Sequence, residues 1–167
     1  MTQRAKTAAG WVLEFTAYSF IGWVYETVLT SIVWGKFAER GVLRLPLLPI
    51  YGFCSLLMIL LLGRIKSIPL LFFLGGGIIT ALELAASYIL EYFVPYRLWD
   101  YSDWALNFDG RISLFSSIIF GILCILLVRV LHPAAEKIYK KLKPRTVIIS
   151  AAICLIFILA DLILCRA

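Results

Sequence analysis

Five carboxylates stand in long apolar stretches of this chain: Glu14, Glu26, Glu83, Glu91 and Asp161. An ionisable group held at membrane depth costs at least about 2.5–3.5 kcal/mol at a helix centre, so such residues face partners or a polar cavity rather than lipid. The spacing around them is helical. Ser19, Gly22, Glu26 and Thr30 recur at steps of three and four, and Gly76, Thr80, Glu83, Ser87 and Glu91 do the same over four turns. Ser113, Ser117 and Gly121 form a small-residue row suited to close helix approach. Ser150, Cys154 and Asp161 form a weaker stripe. Glu26 and Glu83 are therefore candidates for cation binding or proton coupling. The competing role for each acid is to hold helices together. Glu14 reads as a helix-end residue.

Other chemistry is excluded by what the chain lacks. His132 is the single histidine, which rules out a H-E-x-x-H zinc protease and any multi-histidine metal site. Cys54, Cys124, Cys154 and Cys165 are far apart with no C-x-x-C. Gly75-Gly76-Gly77 lacks the Lys-Ser/Thr ending of a P-loop, so an ATP-driven role needs a separate ATPase. No metal and no cofactor is expected, and His132 reads as an interfacial residue at a helix end.

The elements that must position these acids follow from composition. Of 167 residues 62% are apolar and only 16% charged, against about 45–50% and a quarter in an ordinary soluble domain. The expectation is an all-α polytopic membrane bundle forming one transmembrane domain over residues 1–167. A helix needs about 20 apolar residues to cross a bilayer. Five spans are predicted: Gly10–Trp34, Leu47–Gly63, Pro69–Val94, Ile112–Leu131 and Val147–Leu164. The second is the shortest, and Leu43–Tyr51, with Pro46 and Pro49, reads as a re-entrant or interfacial lead-in. The third is long enough to tilt or to kink at its glycine triplet. A cleaved signal peptide is not expected, because the first span is long and carries Glu14 and Glu26.

Counting Lys and Arg on alternate sides gives ten against six, which puts the N-terminus inside and the C-terminus outside. The net charge of +6 accordingly points to membrane lipids, not nucleic acid. Pro133–Arg145, with Lys137, Lys140, Lys141 and Lys143, is a basic inner segment that Pro133 can open as a short helix. It would touch anionic headgroups or dock an ATPase. With this orientation Glu26, Glu83, Glu91 and Asp161 all fall in the outer half of their spans. Arg40, Arg44, Arg97 and Arg111 lie in the outer loops above them. The inference is an outward-facing acidic cavity lined by Glu26, Glu83 and Glu91 under an arginine lid. Trp99, Tyr101 and Trp104 suit the headgroup belt, while Asp100 and Arg111 suit an ion-paired cap or contact with a headgroup or phosphate.

Several short motifs carry a resemblance. They are Tyr18-Ser19-Phe20-Ile21-Gly22-Trp23-Val24-Tyr25-Glu26, Arg40-Gly41, Pro49-Ile50-Tyr51-Gly52, Thr80-x-x-Glu83 with Ser87 and Glu91, Trp99-Asp100-Tyr101-Ser102, and Asn107-x-x-Gly110-Arg111-Ile112. From about Phe15 to Gly121 the chain resembles the ABC-transporter type IV, permease-like family of small membrane proteins from Firmicutes-like bacteria. It departs at Leu45-Pro46, where the family usually has Gly-Pro. The resemblance implies a transport-related protein of the bacterial plasma membrane, with Glu26, Glu83, Glu91, Asp100 and Arg111 in a shared pattern.

The expected function is a permease-like transport protein or subunit that binds a small polar or cationic solute, or a lipid headgroup. Its binding residues would be Glu26, Glu83, Ser87, Glu91, Tyr25, Thr80, Asp100 and Arg111, with Asp161, Arg40 and Trp23 secondary. Its small size points to a homodimer, or to a larger membrane subunit or ATPase as partner. Two other classes are an intramembrane enzyme acting on a lipid-linked substrate and a regulatory subunit of a larger complex. The first lacks a Ser or Cys nucleophile with an evident base.

Overall fold

The computed structural model describes residues 3–41, 43–93, 97 and 99–164. Val94 and Cys165, named above, lie outside the described residues. The chain is helical with one small hairpin. Helix α1 runs Gln3–Trp34, α2 Pro49–Leu62 and α3 Ile68–Phe93. Strands β1 (Asn107–Phe108) and β2 (Ile112–Ser113) follow, then α4 (Leu114–Leu126), a π-helical turn (Leu127–Leu131), α5 (His132–Lys141) and α6 (Pro144–Leu164). Three helices are long and apolar enough to cross a membrane: Ile68–Phe93, Leu114–Lys141 and Pro144–Leu164. Helix α2 is apolar but has only 14 residues.

Two boundaries differ from the sequence expectation for local reasons. Ile112 and Ser113 are not helical: they pair antiparallel with Phe108 and Asn107. Asp109 (φ 52°) and Gly110 (φ 63°) supply the two left-handed positions of the type I′ turn between them. Ser113 then caps α4 in a capping box, its hydroxyl accepting from the Ser116 amide at 3.0 Å while Ser116 Oγ accepts from the Ser113 amide. At the other end α4 does not stop before Pro133. It passes through the π-helical turn into α5, so the helix continues across the proline. Proline lacks an N–H and its ring crowds the carbonyl four residues back, and the wider turn just before it is where that conflict is absorbed.

The chain forms two compact units, dividing after Leu57 and after Leu131. The first holds α1, the segment 35–48, the start of α2, α5 and α6. Here α1 packs on α6 around buried Ala9, Val147 and Ala151, flanked by Val12, Leu13 and Ile148. The segment after α1 turns back along it. Leu48 donates its amide to the Ser19 carbonyl at 3.0 Å, and Ser19 lies 15 residues, or about 22 Å of helix rise, before Trp34. Asp161 on α6 accepts the Leu45 amide at 2.9 Å, and Ala38, Leu43 and Leu47 are buried.

The second unit holds the rest of α2, α3, the hairpin, α4 and the π-helical turn. Its α3 runs unbroken through the glycine triplet, whose first two members allow close approach. A Cβ on Gly75 would collide with Cys124, and one on Gly76 would meet the Ser117 carbonyl at 2.8 Å.

Candidate functional site

In the second unit, each polar residue of the α3 stripe meets α4 or the 97–113 loop. Thr80 donates to Ser117 Oγ on α4 at 2.8 Å. Glu83 accepts the Tyr101 hydroxyl at 2.9 Å. Ser87 and Glu91 both accept from Arg111, Ser87 at 2.9 Å. Arg111 also donates through Nε to Asp109 at 2.8 Å, and its guanidinium lies 4.0 Å over the Tyr88 ring. Its side chain is 7% exposed, with all three guanidinium nitrogens engaged. Glu91 and Asp109 hold the Arg111 pKa above its ordinary value, so the group stays cationic. Its carbonyl accepts the Trp99 indole N–H at 3.0 Å, while Arg97 lies 3.6 Å from Glu91 and 3.5 Å from Asp109. Asp100 folds back on its own loop: its Oδ1 accepts from the Ser102 hydroxyl and amide at 2.5 and 2.9 Å. These bonds, with Arg97 nearby, hold its pKa below the ordinary aspartate value. A hollow of about 340 Å³ beside the hairpin is lined by Asp103, Trp104, Ala105 and Phe115, and by none of the expected acids.

Glu26 belongs to the first unit. Its Oε1 accepts the Tyr51 hydroxyl at 2.7 Å, and Oε2 lies 3.6 Å from Arg40 Nε. Gly22 positions Tyr51, because a Cβ there would collide with the Tyr51 ring. The Tyr25 ring lies 6.3 Å from that of Tyr51 in an edge-to-face arrangement. Arg40 and Glu26 are 35% and 28% exposed at their side chains. Trp23 stacks against Phe20 at 6.3 Å, and Asp161 holds the Leu45 amide.

One cluster escaped the sequence reading. Glu14 is 4% exposed, and its Oε2 accepts the Tyr18 hydroxyl at 2.8 Å and lies 2.7 Å from His132 Nδ1. His132 stacks at 6.1 Å on Trp11. The signal was available in part: Glu14, Tyr18, Gly22 and Glu26 continue the stripe of the first span in steps of four. Among the described residues no group of three or more His, Cys, Asp or Glu could hold a metal ion.

A family model matches residues 13–166. The chain belongs to the family "Putative ABC-transporter type IV". The match runs beyond Gly121 and through α6, further than the short motifs alone reached. As an ABC-transporter type IV chain with three apolar helices of spanning length, it is a transport-related membrane protein. No curated protein and no solved structure matches the chain.

Proposed function

We propose that this chain is a permease-like subunit of a transport system in the bacterial plasma membrane, and that its ligand site is centred on Glu26, Arg40 and Tyr51. The observation that carries this reading is the contrast between two arginines. Arg111 is buried, with three side-chain partners and a tyrosine face, so a ligand would have to replace every one of them. Arg40 is partly exposed and approaches Glu26 most closely through Nε, at 3.6 Å. At 3.6 Å the two groups are beyond hydrogen-bond distance, so a solute that offers new partners can open the pair more readily than it could free Arg111.

The α3 stripe, on this reading, is a fastening. Glu83, Ser87 and Glu91 hold Tyr101 and Arg111, and so fix the 97–113 loop at the end of α3. Asp161 does similar work for the segment 35–48. We further propose that α1 and α2 join the three apolar helices in the membrane. Non-helical backbone reaching the level of Ser19 then needs protein or a polar opening around it, since lipid cannot satisfy its amides. Partly exposed Glu26 and Arg40 would face that opening. The solute is small and polar, or is a lipid headgroup, and other transporter components are the expected partners.

Native mass spectrometry of the protein from mild detergent tests the site. The expected result is a small-molecule or lipid adduct that is lost in Glu26→Gln and in Arg40→Gln and retained in Arg97→Gln. An adduct equally retained in all three variants would overturn the assignment.

A further inference from the structure

The chemistry around Glu26 also narrows the ligand. Glu26 presents a carboxylate that accepts the Tyr51 hydroxyl through Oε1, and the Tyr25 ring lies 6.3 Å from that of Tyr51. A carboxylate recognises an ammonium group through charge and through charge-assisted hydrogen bonds. Arg40 presents the opposite chemistry. Among the described residues its contact to Glu26 is through Nε, and no hydrogen bond engages Nη1 or Nη2. Those two nitrogens form the fork that binds a carboxylate or phosphate with two parallel bonds. The two halves stand side by side, 3.6 Å apart at their nearest atoms.

We propose that the site takes a zwitterion, with the ammonium held at Glu26 beside the Tyr51 hydroxyl and an acidic group, carboxylate or phosphate, held by the Arg40 fork. This rests on the ligand site proposed above and gives its substrate class. The charges of the ligand must be only a few bonds apart, because the pair they replace is in near contact. An amino acid and an ethanolamine phosphate both meet that requirement, the first as a free solute and the second also as a lipid headgroup.

Ligand-observed NMR on the full chain in lipid nanodiscs tests this. Glycine and phosphoethanolamine serve as free zwitterions, ethylamine and acetate as the single-charge halves, and nanodiscs with and without phosphatidylethanolamine separate the lipid source. The zwitterion is expected to bind about tenfold or more tighter than either half, since each half forfeits a hydrogen-bonded charge. Glu26→Gln and Arg40→Gln should each reduce it to the level of one half, and Arg40→Lys, which keeps the charge without the fork, should fall between. Competition by phosphatidylethanolamine against glycine would identify the headgroup as the source, and its absence the free solute. If ethylamine binds as tightly as glycine and depends on Glu26, the zwitterion is wrong while the site stands. If no probe depends on Glu26 or Arg40, both are wrong.

Discussion

Single residues decide which polar groups of this chain are closed and which are open. Glu14 is closed: one carboxylate oxygen serves both Tyr18 and His132 inside the protein. Glu14→Leu would leave two polar groups without their acceptor, at about 1–3 kcal/mol each when buried. Glu14→Gln keeps an acceptor oxygen and should lose distinctly less, with thermal unfolding in detergent reporting the order. A reversed order would show that the cluster does not hold α1 to α5. Gly22 acts by absence. Gly22→Val drives a side chain into the Tyr51 ring, and overpacking of that kind costs about 1–3 kcal/mol. It should also displace the Tyr51 hydroxyl from Glu26, so ligand binding should weaken more than stability alone explains. The Glu14 cluster shows a limit of reading the sequence. Its two halves are 118 residues apart, and spacing along one helix carries no information about a partner from another.

At the scale of elements, the 97–113 loop is the most highly determined non-helical part of the second unit. The α3 stripe was legible because all its members lie on one helix, where period alone places them on one face. Their partners were legible only as residue types, since which arginine meets which acid depends on the hairpin turn at Asp109 and Gly110. Arg111→Ala should free this loop and leave the α3–α4 packing intact, seen as rapid proteolysis within residues 97–113 with helix content unchanged. Protection at the wild-type rate would contradict the fastening role. The loop should also resist acid. The Asp100 pKa is depressed in the folded chain, so its contribution is complete above the ordinary aspartate value near about 3.9 and fades only as pH falls through the lower, folded value. Protection should persist from pH 7 to about 4 and fail below that, and Asp100→Asn should reduce this dependence while the Arg111 pairs to Glu91 and Asp109 carry the rest. Loss of protection between pH 7 and 5 would contradict it.

At the scale of the whole molecule, composition identified a helical membrane protein because an apolar share of 62% cannot be hidden in a chain this small. The number of spans is where hydropathy gives less. Three helices meet the requirements of length and apolarity, while α2 is short because the backbone before it has already turned back along α1. That return path could be read from Pro46 and Pro49 as a re-entrant lead-in, but its depth depends on one hydrogen bond from Leu48 to Ser19. The central claim is that transport chemistry belongs to Glu26 and Arg40, and that Glu83 fastens a loop. Uptake of labelled small polar solutes into proteoliposomes tests it most directly. The account predicts uptake by the wild-type chain with its transport partners, loss in Glu26→Gln, and retention in Glu83→Gln, whose amide oxygen can still accept the Tyr101 hydroxyl. Loss in Glu83→Gln with normal uptake in Glu26→Gln would contradict it.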